Sequence, residues 1–176
     1  ILADHDDNIY GTVSTLIKPP PVGWNLAEEA YQVHGISTAH CETYGIPLLA
    51  AICHLANMAE CADELVAHNI EFDENMVRSE CLRLEMPMIL NAVPRRYCTM
   101  LRSRDICRLP GLYRGQYKWP RLDEALWLVC KQKLNGAHDA LADTRACSAL
   151  YYELKRREHE AGAEVITTQH RGKYEQ

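Results

Sequence analysis

No stretch of this sequence approaches the roughly 18 uninterrupted apolar residues of a membrane-spanning helix, and its first residues lack the basic and apolar regions of a secretory signal. A cytoplasmic protein with no membrane partner is expected. No Cys-x-x-Cys pair occurs among the eight cysteines (41, 53, 61, 81, 98, 107, 130 and 147), and their irregular spacing speaks against a zinc site or a disulfide framework. Most fall within apolar helical or strand patterns, where a reduced Cys behaves as a small buried hydrophobe. Repeats and low-complexity tracts are lacking too. At 176 residues and 47% hydrophobic content, the chain is long enough for one sizeable core and too short to favour two. The expectation is one domain over residues 1–161 and a polar, poorly ordered tail over 162–176.

Basic side chains are scarce at the front of the chain. Residues 1–94 carry 3 basic and 14 acidic groups, or −11; residues 95–121 carry 8 and 1, or +7; residues 122–176 carry 8 and 9, or −1. The total of −5 alone argues against a nucleic-acid partner, but the distribution does not. In the basic block Arg95, Arg96, Arg102, Arg104, Arg108, Arg114, Lys118 and Arg121 interleave with Tyr97, Tyr113, Tyr117 and Trp119. That mixture suits a phosphate backbone and stacked bases. For any single one of these residues a solvated loop or helix face explains it equally well.

Along the chain, Ile1 to Ala3 reads as a strand end, Asp4 to Asn8 as a turn and Ile9 to Ile17 as the antiparallel return. Asn25 with Glu28 opens a short helix ending near His34-Gly35, and Ser37 caps another that Gly45 and Pro47 stop. Leu48 to Cys61 is a longer helix, with Leu48, Ile52 and Leu55 at helical spacing. Leu65 to Ala67 is a buried strand, Glu71 to Leu84 a helix, and Arg96 to Thr99 a further strand. A short helix over Leu101 to Cys107, a loop from Pro110 to Trp119, a helix from Pro120 to about Lys131 and a last helix from Asp139 to about Glu160 complete the order. The class is α/β with a central mixed sheet flanked by helices.

Two short segments carry the chemistry. His138-Asp139-Ala140-Leu141-Ala142-Asp143 sets an imidazole and a carboxylate five residues apart at the mouth of the last helix. Ala67-His68-Asn69-Ile70-Glu71-Phe72-Asp73 is a strand ending in a polar turn that opens another helix, so Asp73 lies at the ligand-binding edge of an α/β sheet. An Asp in a helical first turn is more often there for the helix dipole than for a metal. A lone His before a helix is more often a surface residue.

Together the two segments resemble the second and third motifs of the DEDDh (DnaQ-like) 3′-5′ exonucleases, of ribonuclease H-like three-layer fold. The resemblance covers almost the whole chain. It implies a two-metal mechanism with Mg²⁺ or Mn²⁺, hard ions that prefer carboxylates and stabilise both the attacking and the leaving oxygen of a phosphodiester. It also implies that Asp73 and Asp143 are metal ligands and that His138 is the general base, a role suited to a group titrating near neutrality. Asn69 resembles the motif residue that bonds a sugar or phosphate, and Phe72 its aromatic, which more often packs into the core. Val33-His34-Gly35-Ile36 resembles a family segment near the 3′-terminal nucleotide; a helix stop at Gly35 explains it equally well. The stretch from Cys98 to Pro120 resembles the phage and prophage subgroup.

The implied partner is the 3′ end of single-stranded DNA or RNA, with a DNA polymerase as a further partner. The family's first motif, an Asp-x-Glu on the opening strand, is missing from the sequence, which therefore reads as an exonuclease domain lacking its first strand. Asp4-His5-Asp6 is better read as a turn than as a substitute. The alternative is an inactive nucleic-acid-binding or polymerase-associated module of the same fold.

Overall fold

A computed structural model describes residues 1–20, 28–113, 115–136 and 139–171. The chain opens with a hairpin, β1 (Leu2–Ala3) against β2 (Ile9–Gly11), closed by the turn foreseen from Asp4. Asp4 Oδ1 accepts the Asp6 and Asn8 backbone N–H groups at 2.9 and 3.0 Å, while Oδ2 accepts Asn8 Nδ2 at 2.9 Å and Tyr10 Oη at 3.0 Å. These donors, led by Asn8, hold its carboxyl down to about 2. With both oxygens engaged in the turn, Asp4 is no substitute acid. The return strand is shorter than expected, since β2 stops at Gly11 and Ile17 instead bridges Ile46 in parallel.

Helices α1 (Glu28–His34), α2 (Thr38–Tyr44) and α3 (Leu48–Glu60) follow. Ser37 caps α2 as its sequence foretold, accepting His40 N–H at 3.2 Å. Next come β3 (Glu64–Ala67), α4 (Ile70–Arg83) and β4 (Arg95–Cys98), in which α4 is the crossover that two parallel strands require. β3 and β4 pair in register from Glu64 opposite Arg95 to Ala67 opposite Cys98. Thr99 then belongs to α5 (Thr99–Cys107), not to the strand. The single helix expected from Pro120 to Lys131 is α6 (Leu122–Ala125) continued by a wider π-type turn, Leu126–Cys130, which ends where Lys131 takes a left-handed φ of 58°. The last helix, α7 (Ala140–Arg171), runs past the expected Glu160, and residues 172–176 lie outside the described residues.

The central mixed sheet is not formed by the described residues. They make two separate pairs, β1–β2 antiparallel and β3–β4 parallel. Between the bare edges of β1 and β3 lies a cavity of about 750 Å³ lined by residues of both strands, by Leu55 and Met58 of α3, and by Cys147 and Tyr151 of α7. One core lies on the α7 side, where Leu150 and Leu154 meet Tyr97, Ala125 and Val129. A smaller one, Ala59 with Leu90 and Val93, lies under α3. Buried phenols find partners, as they must: Tyr97 Oη donates to Glu158 and Tyr151 Oη to Glu64, both at 2.8 Å.

All eight cysteines are free; Cys41, Cys81 and Cys147 are buried as expected, but Cys53 and Cys61 are exposed. Much of the basic block is also committed within the chain. Arg95 pairs with Glu64, Arg96 with Glu74, Arg104 with Asp105, Lys118 with Glu124 and Arg121 with Asp123. Arg96 also donates to the Val93 and Leu90 carbonyls, so it braces the approach to β4 more than it offers charge to a ligand.

Candidate active site

β3 ends at Ala67, and the next residues turn the chain into α4. His68 fixes that turn. A carbonyl can only accept, so His68 Nε2–H donates to Pro120 O at 3.0 Å and Nδ1 accepts from the Thr99 hydroxyl at 2.9 Å. Thr99 is fully buried, and its oxygen in turn takes the Cys147 thiol of α7 at 3.6 Å. One neutral imidazole therefore ties β3, α5, the segment before α6 and α7 together at one corner.

Asn69 sits at the start of α4 with left-handed backbone (φ 71°, ψ 54°), a conformation Asn tolerates better than most residues. Its exposed side chain makes no capping bond. Asp73 lies in the first turn of α4, where its charge complements the helix dipole. The residue as a whole is exposed, yet withdrawal of water around the carboxyl pushes its pKa above the ordinary carboxylate value. Phe72 beside it is 62% exposed, outside the core in which such aromatics more often pack and open to a ligand. The reason is register: in α4 the inward positions are taken by Ile70, Val77 and Cys81, which leaves Phe72 outside.

Asp143 occupies the first turn of α7, which Asp139 caps by accepting Ala142 N–H at 2.8 Å. Cys147 lies one turn further on the same helix face. Burial, to which the charge of Asp73 adds, pushes its thiol up to about 11. The His68–Thr99–Cys147 link thus brings the turn that opens α4 and the second turn of α7 to one corner. His138 lies outside the described residues, next to a turn in which Asp139 N–H bonds Gly136 O at 3.0 Å.

His34 and Gly35 are not part of this corner. Gly35 has φ 67° and its N–H returns to Tyr31 O at 2.8 Å, while His34 Nδ1 accepts Ile36 N–H at 3.0 Å. This is the helix stop, and α1 packs closely against neither α4 nor α7.

The donors at the corner are hard carboxylates of the kind Mg²⁺ prefers. They are too few, however: among the described residues no group of three or more His, Cys, Asp or Glu side chains could hold a metal ion.

Sequence reasoning passed over His68, Thr99 and Cys147. A signal existed for His68, a lone imidazole at the end of a buried strand, but its partners lie 31 and 52 residues away. Because burial lowers the His68 pKa, its charged form is disfavoured in the folded state. Stability from this group is therefore full above its unfolded pKa near 6.5 and is lost as pH falls below that value. His68→Gln keeps a donor for Pro120 without titrating, so unfolding midpoints in urea at pH 7 and pH 5 should fall less in the variant than in the parent.

Comparison with known proteins gives a match to the exonuclease family model RNase_T over residues 2–151, most of the chain and both acidic motifs. No curated protein and no solved structure matches.

Proposed function

The chain belongs to the exonuclease family, the DEDD group of the ribonuclease H-like superfamily, and from that premise we propose that it is the 3′-5′ exonuclease domain acting on single-stranded 3′ ends, DNA foremost. Family members normally use divalent metal ions. The observation that supports the corner as the site is the linkage from His68 through Thr99 to Cys147, which joins the turn that opens the Asp73 helix to the helix turn that follows Asp143. In this reading Asp73 and Asp143 supply two of the acids, His138 accepts the proton of the attacking water, and Asn69 and Phe72 contact the terminal nucleotide through an amide and a ring face. Two acids do not make the four-acid site of the family. An Asp-x-Glu strand offered to the cavity between β1 and β3 would supply the other two and give both unpaired edges a partner.

This is tested by Mn²⁺-dependent release of mononucleotides from a 3′-labelled oligonucleotide. Two forms are compared: the chain alone, and the chain with about 25 residues carrying an Asp-x-Glu strand joined ahead of Ile1, the length of a strand with its connections. Strong release by the extended form alone supports the reading, and equal strong release by both refutes the need for the strand. A second reading, a nucleic-acid-binding or polymerase-associated module, draws on the absence of a third ligand among the described residues. It requires that neither form releases nucleotides.

A further inference from the structure

The segment between α5 and α6 does nothing for the corner as described, yet it is built with care. Gly111 N–H bonds Gln116 O at 2.9 Å, Lys118 N–H bonds Leu109 O at 3.0 Å, and Pro110 bridges Tyr117 in antiparallel fashion. A Cβ at Gly111 would meet Gln116 O at 2.8 Å, so the two sides close only because residue 111 is glycine. The result is an arm with an apolar outer surface. Leu112 is 99% exposed, Tyr113 72%, Trp119 62% and Tyr117 43%. Four large apolar side chains turned to solvent within eight residues form the kind of patch that marks an interaction site.

Two further observations say what the patch faces. The first is its tether. Pro120, next to Trp119, is fully buried, and its carbonyl is the one His68 holds at 3.0 Å. Glu124 fixes the same stretch by accepting Lys118 Nζ at 2.6 Å and Arg121 N–H at 2.8 Å. The base of the arm is therefore joined through a single imidazole to the turn that carries Asn69, Phe72 and Asp73. The second is charge. Residues 99–124 hold six basic and three acidic side chains, or +3, whereas the rest of the chain sums to −8. Even with its internal ion pairs, this is the positive part of an acidic protein.

We infer that the arm from Leu109 to Trp119 is a stacking track for single-stranded nucleic acid, carrying the nucleotides upstream of the 3′ end toward the Asp73 corner. This rests on the nuclease reading of that corner. Flat rings take base faces whatever the base, and nearby cations lower the cost of bringing the phosphates close. An apolar protein partner would use the rings but would gain nothing from the positive charge.

The test is fluorescence anisotropy of a labelled 12-nucleotide oligothymidylate, titrated with the full chain in low salt without divalent ions. Trp119→Ala and Tyr113→Ala should each weaken binding about tenfold, as loss of one stacked base does. Trp119→Phe should retain most of the affinity, and Tyr44→Ala, an equally exposed tyrosine on α2, should bind as the parent does. Binding that is unchanged in Trp119→Ala and Tyr113→Ala, or no binding by the parent, overturns the track. Loss of binding in the arm variants, with no nucleotide release from any form of the chain, would leave the track standing and remove the nuclease reading alone.

Discussion

Replacing His138 by alanine is expected to lower nucleotide release about 10²–10⁴-fold in a form of the chain that cleaves, the range for removing a positioned general base. The reasoning runs from chemistry to position. Water must lose a proton as it attacks phosphorus, and a group that titrates near neutrality can take that proton without being protonated at rest. In the sequence His138 directly precedes the Asp139 cap, and α7, the helix that carries Asp143, begins two residues after it. The parent's rate should rise with pH through the range in which an imidazole deprotonates, and that limb should vanish in His138→Ala. Anisotropy with the 12-nucleotide probe should be unchanged, which separates a lost base from a lost substrate. A decrease of less than about fivefold would contradict the role, and the non-enzymatic reading requires no decrease at all.

Leu150→Ala should cost about 2–5 kcal/mol, the cost of truncating a fully buried leucine whose surroundings cannot collapse. Leu150 is 0% exposed and packs from α7 against Tyr97, Ala125 and Val129, so β4, α6 and the following turn all lose contact. Native domains are stable by about 5–15 kcal/mol. At roughly 2–4 °C per kcal/mol for a chain of this size, Tm should fall by about 4–20 °C in calorimetry. Leu112→Ala removes the same atoms from a residue that is 99% exposed and should move stability by less than about 0.5 kcal/mol. Similar losses in both would mean that α7 does not hold the core together. The site would feel the first loss as well, because α7 carries Asp143.

The local features of the fold were legible where local chemistry decides them. Ser37, Asp4 and Gly35 act within four residues of themselves, and each does what its residue type foretells. The α4 crossover and the two acidic helix starts followed from the alternation of apolar and polar residues. What escaped were partnerships across the chain. His68 reaches Thr99 and Pro120, and Tyr152 Oη reaches Asp4 O, 148 residues away, at 2.6 Å. No periodicity announces such pairs. The exposure of Phe72 was hidden for a related reason: an aromatic beside a motif fits core or surface equally until the register of α4 is known. The basic block shows its clustering in the sequence but not its partners: Arg95 and Arg96 serve Glu64 and Glu74, which lie far back in the chain.

The split between the two sheets bears on how the acids at the corner behave. Amide and carbonyl groups along an unpaired strand edge must bond something, and where no strand is laid against it water is the general partner; β1 and β3 each have one such side among the described residues. Hydration brought in along that gap raises the local dielectric and weakens every charge interaction it reaches. Were the gap filled, water would leave, the neighbouring carboxylates would repel one another more strongly, and a cation between them would be held more tightly.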